Sequence, residues 1–294
     1  MEQQGSSGVL ARVSARTRDL GGFTVGRILP APARRTVGPV VFLDHMGPAD
    51  FAAGGGIDVR PHPHIHLATL TWLFEGAILH RDSTGAEQEI RPGDVNWMVA
   101  GRGVVHSERA PESFKENGGR LHGMQLWVGL PTAEEEREPS FEHHPSATLP
   151  VVGGAGWTGR VIAGAAYGAV SPVPMLSPLV LVEMKLAAGA VGVLPGGTRE
   201  RAVYVVGGAV EVAGQGVAAT EMVVVGDDVR EVVAGPEGAL VFYLGGEPLD
   251  GPRFLDWNFV SSRPEAIRAA REAWREGRFP KVPGDSEEFI PLPE

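Results

Sequence analysis

The chain has 294 residues, 43% of them hydrophobic and 21% charged, with a formal net charge of −10 and no cysteine. Such values fit an ordinary globular protein of one large or two medium domains. They exclude disulfides, thiolate catalysis, iron–sulfur clusters and cysteine-ligated zinc, and the acidic balance argues against sequence-independent nucleic-acid binding, which needs a basic surface.

The first twenty residues contain no apolar run long enough for a signal peptide. No stretch approaches the roughly 18 apolar residues of a membrane span, so the expected location is the cytoplasm. The 41 glycines and 24 prolines are scattered, which favours short strands joined by tight turns. Between residues 20 and 130, "TLTWLF" (Thr69–Phe74), "VNWMV" (Val95–Val99) and "MQLWVGL" (Met124–Leu130) read as strands rich in β-branched and aromatic residues. The acidic, proline-bounded stretch Pro131 to Pro150 lacks periodicity and reads as an interdomain linker. Strand-like runs then resume at Leu179–Leu186, Ala202–Val206, Glu221–Val225 and Ala239–Leu244. This shared rhythm predicts a duplicated all-β architecture. Its expected divisions are a first barrel over 1–135, a linker over 136–150, a second barrel over 151–250, and a helix with an extended tail over 251–294. The helix is expected in "SSRPEAIRAAREAWREG", with Ser262 and Glu265 as a capping box, Ile267, Ala270 and Trp274 at helical intervals, and Gly277 as the stop.

All nine histidines lie between His45 and His144. Residues two apart on a strand share a face, so His62 and His64 of "RPHPHIH" project together, as do His106 and Glu108 of "VVHSE". Two such strands meeting would offer three imidazoles and a carboxylate to one cation, a set suited to iron, manganese, nickel, copper or zinc and not to calcium.

The segments "HPHIHLATLTWLFEG", "RPGDVNWMVAGRGVVHSE" and "HGMQLWVGLP", with the ending "WNFVSSRPEAIRAAREAWREGRFPKVPGDSEEFIPLP", resemble the pirin family. The resemblance covers nearly the whole chain. It implies a bicupin fold with one mononuclear iron site in the N-terminal barrel, whose ligands fall on His62, His64, His106 and Glu108. The wider cupin pattern would place a glutamate where Thr69 stands; Gly76 fits its glycine, and Glu108 supplies the carboxylate instead. His66 stands where pirins often have a small residue. It could be an extra ligand, a hydrogen bonder behind the ligands, or turned away by a bend after Pro63.

The same template in the second half sets Val193 and Pro195 at the histidine places if Gly207 matches Gly76, or Leu194 and Gly196 if Gly208 does. Neither pair can hold a metal. Gln125 and Trp127 share one face and His122 and Met124 the other, so Gln125 is either a donor beside the metal or a buried structural amide. Trp97 and Met98 both fill the barrel, one facing in. Asp44 and Arg60 border the opening or are surface charges, and His45 lines the mouth or a surface turn. His80, His143 and His144 are read as solvated.

The resemblance implies an Fe(II)-dependent, quercetin 2,3-dioxygenase-like oxygenase acting on a flavonol or hydroxy-ketone with dioxygen, Glu108 being the catalytic base. The alternative it leaves is a non-enzymatic, iron- or redox-responsive regulator that binds a protein partner. Oligomeric state is open.

Overall fold

The computed structural model describes residues 8–19 and 23–293; residues 1–7 and 20, part of the stretch read for a signal peptide, lie outside it. The strands expected at Val95–Val99, Leu179–Leu186 and Glu221–Val225 have those bounds; three other runs fall in the longer strands Leu67–Glu75, Glu200–Val212 and Glu231–Gly246, and Met124–Leu130 lies in Gly119–Gly129 except for Leu130, one residue past its end. Among the described residues, no helix is long and apolar enough to cross a membrane.

The chain divides into two compact units that interleave in sequence. One comprises Thr17–Val25, Asp44–Ser146 and Leu249–Glu294; the other comprises Met1–Arg16, Gly26–Leu43 and Ala147–Pro248. The start of the chain thus joins the second cupin half, because Val9–Ser14 pairs antiparallel with Glu221–Val225. The C-terminal helix and tail join the first.

In the second unit one nine-stranded sheet runs from Val9–Ser14 through Glu221–Val225, Glu200–Val212, Glu231–Gly246, Leu179–Leu186 and Trp157–Ala163 to Val151–Gly154, with two short strands alongside. Its interior is aliphatic, with Val161, Val182, Val205 and Val241 fully buried around Met184 and Tyr243. Gly76 and Gly208 both have positive φ (87° and 73°), and a Cβ on either would strike a backbone carbonyl, that of Arg120 or of Gly238. Gly208 is therefore the counterpart of Gly76, and the template counted back from it reaches Leu194 and Gly196, just beyond the strand Val191–Val193.

In the first unit a four-stranded sheet has the order Asp58–His64, Val104–Arg109, Ile78–Asp82, Glu87–Ile90. A larger sheet begins Ser140–His144, Val95–Val99, Leu67–Glu75, Gly119–Gly129, Val40–Phe51. The stretch read as a linker therefore contributes a strand, Ser140–His144, paired with Val95–Val99. It is the edge strand of its sheet, with Glu142 exposed and the other four residues half-buried, and so has no apolar alternation to betray it.

The predicted helix spans Pro264–Arg275 and buries Ile267 and Ala270, but it has no capping box. Arg263 is the N-cap and Pro264 opens the helix with its φ preset. The Ser262 amide and hydroxyl are committed elsewhere, donating to the two carboxylate oxygens of buried Glu135 at 2.7 and 2.8 Å.

Candidate metal centre

Strands Asp58–His64 and Val104–Arg109 pair antiparallel, with His62 opposite His106 and a register shift before Glu108. The pairing puts His62, His64 and His106 on one face. Their ring centroids lie 4.3 to 5.0 Å apart, and Nε2 of His64 is 3.1 Å from Nε2 of His106. One nitrogen from each lies within 4.8 Å of the others, and all three residues are buried. Two nitrogens about 2.1 Å from one cation and at right angles stand about 3.0 Å apart, so the observed spacing fits a shared ion.

The electrostatics agree. Burial holds His64 and His106 well below the ordinary imidazole value and lowers His62 to about 4, so all three are neutral near pH 7. His62 donates its Nδ1–H to the Arg60 carbonyl at 2.9 Å, and His64 donates its own to the Asn258 carbonyl at 2.8 Å. Each donation leaves Nε2 with a free lone pair, the arrangement common to metal-bound histidines. His106 keeps a buried Nδ1 with no partner among the described residues. The three imidazoles could hold a metal ion.

Glu108 is buried, and burial pushes its carboxyl up to about 7. It shares the face of His106 by alternation, yet it is not part of the three-nitrogen cluster. His66 turns away. The strand ends at His64, His66 has a left-handed backbone (φ 59°), and its Nδ1 lies 2.9 Å from Ser261 Oγ and 3.4 Å from Glu135. The parity that would have aimed it at the cluster ends with the strand.

Trp127 meets the His64 ring edge-on at 4.9 Å, so its face of the larger sheet looks toward the histidines. Gln125 shares that face and accepts a hydrogen bond from Thr71 Oγ1 at 2.8 Å. Cross-strand register carries the same face through Thr69 to Met98. Trp97 lies opposite Leu70, on the other side, so Met98 faces the site and Trp97 does not. Both are buried, and alternation alone could not say which faced inward. Asp44 and His45 are both buried. His45 Nε2 lies 2.7 Å from His122 Nε2, so it occupies the face turned from Trp127, and alternation leaves Asp44 on the Trp127 side. His45 is thus neither a surface-turn nor a pocket-mouth residue. Arg60 is exposed and takes part through its carbonyl alone.

The sequence reading missed His80. It is buried, pairs with buried Asp82 at 2.9 Å, stacks on Phe141 at 4.4 Å and lies 5.3 Å from the His106 ring. The signal was present as a third alternating pair, His80 and Asp82 in "ILHRD". His143 is not solvated either, because its Nδ1 donates to Asn96 Oδ1 at 2.7 Å, and His144 is half-buried.

Two cupin halves, of which only the first brings histidines together, define a bicupin with one candidate metal centre among the described residues. The chain belongs to the pirin family: residues 22–128 match the Pirin model and residues 181–280 the Pirin C-terminal cupin domain. It is 51% identical over 283 residues to a pirin-like protein of Caulobacter vibrioides, covering 95% of this chain and 98% of the other. A Pseudomonas aeruginosa protein provisionally named quercetin 2,3-dioxygenase is 40% identical over 273 residues, 92% of this chain and 84% of that one. The crystal structure of a quercetin 2,3-dioxygenase from Acinetobacter baumannii superposes with a TM-score of 0.90 at 36% identity, covering 97% and 95% of the two chains.

Proposed function

We propose that this chain is an iron-dependent dioxygenase of the quercetin 2,3-dioxygenase type. Its substrate is a flavonol or a related hydroxy-ketone, its metal is Fe(II), and His62, His64, His106 and Glu108 are the ligands. The observation that carries the reading is the buried cluster of three neutral imidazoles with a buried carboxylate on the same strand face. The likeness to a quercetin 2,3-dioxygenase over nearly the whole chain supports the substrate class.

Bound Fe(II) would supply positive charge that makes the substrate hydroxyl more acidic, and open positions for substrate and dioxygen. Burial raises the Glu108 carboxyl to about 7 in the metal-free protein; beside a bound cation it would be ionised, and a carboxylate that leaves the metal as substrate enters could take the hydroxyl proton. Trp127 offers an aromatic wall at the His64 ring. Gln125 and Thr71, joined by a hydrogen bond, give the larger sheet a polar strip on the histidine side.

Oxygen uptake by iron-loaded protein over a panel of flavonols tests the proposal. It requires flavonol-dependent consumption that disappears with the metal. No consumption by protein shown to hold iron would overturn it in favour of a redox-responsive regulator.

A further inference from the structure

Residues 254–261, "FLDWNFVS", lie nearly two hundred positions from the histidine strand, yet they run alongside it. Phe254–Asp256 and Phe259–Ser261 form an antiparallel hairpin with Asp256 opposite Phe259, leaving Trp257 and Asn258 as a two-residue loop. Such loops favour φ > 0 at their first central residue and are usually built from Asn, Asp or Gly. Here that residue is tryptophan, at φ 53°. An aromatic residue in the left-handed region is strained, and persists where its surroundings over-determine it. The indole packs on Phe259 at 5.4 Å and on Trp274 of the C-terminal helix at 6.3 Å.

The consequence of that turn is where the next carbonyl points. Asn258 O accepts the Nδ1–H of His64 at 2.8 Å. Beside it, Ile65 forms a parallel bridge with Phe259, and His66 Nδ1 lies 2.9 Å from Ser261 Oγ. Three consecutive residues are thus held by one hairpin. His62, by contrast, is held by the Arg60 carbonyl of its own strand.

We propose that the hairpin Phe254–Ser261 is the positioning element for His64, and that the left-handed backbone of Trp257 aims the Asn258 carbonyl that fixes the ring. The carbonyl selects the tautomer with Nε2 free and sets the plane in which that lone pair meets the other two imidazoles. The proposal rests on the reading of His62, His64 and His106 as metal ligands. It makes the metal centre of the first cupin half dependent on backbone from the far end of the chain.

The test uses full-length protein with Co(II) as the probe, reading affinity by chelator competition and the visible ligand-field spectrum. Trp257→Gly and Trp257→Asn keep a residue that tolerates positive φ, and both are expected to stay near wild type in affinity and band shape. Trp257→Val places a β-branched residue there and is expected to lose about 10- to 100-fold in affinity, the usual effect of losing a partner behind a ligand. Its far-UV circular dichroism should be unchanged and its cobalt bands shifted. Valine matching wild type would overturn the proposal. So would glycine and asparagine losing as much as valine, since the indole's packing would then be the cause. Should the valine variant not fold, nitrogen-15 NMR of metal-free wild type decides the matter: His64 protonated on Nδ1 supports the proposal, and protonation on Nε2 overturns it. Wild type that binds no Co(II) would defeat the ligand reading, while the tautomer measurement still judged the hairpin separately.

Discussion

Replacing Glu108 by glutamine should stabilise the metal-free protein at alkaline pH, although it removes a residue of the proposed centre. Glu108 is buried, and burial raises its carboxyl from 4.5 to about 7. For an acid whose folded pKa lies above its unfolded value, the folded state holds the proton longer, so stability falls as pH rises from about 4.5 through 7. At pH 8 the charged form costs about 3 kcal/mol, the 2.5-unit difference at roughly 1.4 kcal/mol per unit. At pH 5 only the unfolded carboxyl is substantially ionised, and the cost is about 1 kcal/mol. Glutamine keeps the shape and never ionises, while the histidine titrations are common to both proteins. Urea unfolding in chelator at pH 5 and pH 8 should therefore show the variant gaining about 2 kcal/mol on wild type between the two. A pH-independent difference, or a variant that loses ground at pH 8, would mean that Glu108 is compensated in the metal-free fold, and the reasoning from burial would fail.

Three further outcomes are expected. Alanine at His62 or His106 should abolish metal retention measured by elemental analysis and leave far-UV circular dichroism unchanged, because each unit has its own apolar core; an unfolded metal-free protein would make the site structural. In iron-loaded protein, Glu108→Gln should lower flavonol turnover at least about 100-fold if Glu108 is the base, and iron-bound variant turning over at the wild-type rate would remove that role. Trp97→Phe should cost on the order of 1 kcal/mol in stability with Co(II) affinity unchanged, since Trp97 lies on the far face; a changed affinity would place it at the site.

The strand pattern and the three histidines were legible because alternation is a local property. "HPH" needed only the period of a strand to aim His62 and His64 together, whereas the meeting of their strand with that of His106 is a long-range pairing that the family resemblance supplied. What alternation could not give was where a strand stops, and so His66, one step beyond the parity limit, turned toward Ser261 and Glu135. Nor could it give the sheet on which an unpatterned strand lies. Ser140–His144 is polar because it is an edge, and it nevertheless delivers Phe141 to His80. Asn258 was beyond reach for another reason: its contribution is a carbonyl, which every residue has, and its side chain carries no signal. The Ser262–Glu265 spacing misled because a capping pattern is a preference that a buried carboxylate such as Glu135 can outbid.

The most direct test of the account is an anomalous diffraction map at the iron edge for crystals of protein purified without added metal and then loaded with Fe(II). The account predicts one strong peak per chain, within bonding distance of Nε2 of His62, His64 and His106 and of the Glu108 carboxylate, and no peak in the unit containing Leu194 and Gly196. A peak away from the three histidines, or two peaks of equal height per chain, would contradict it.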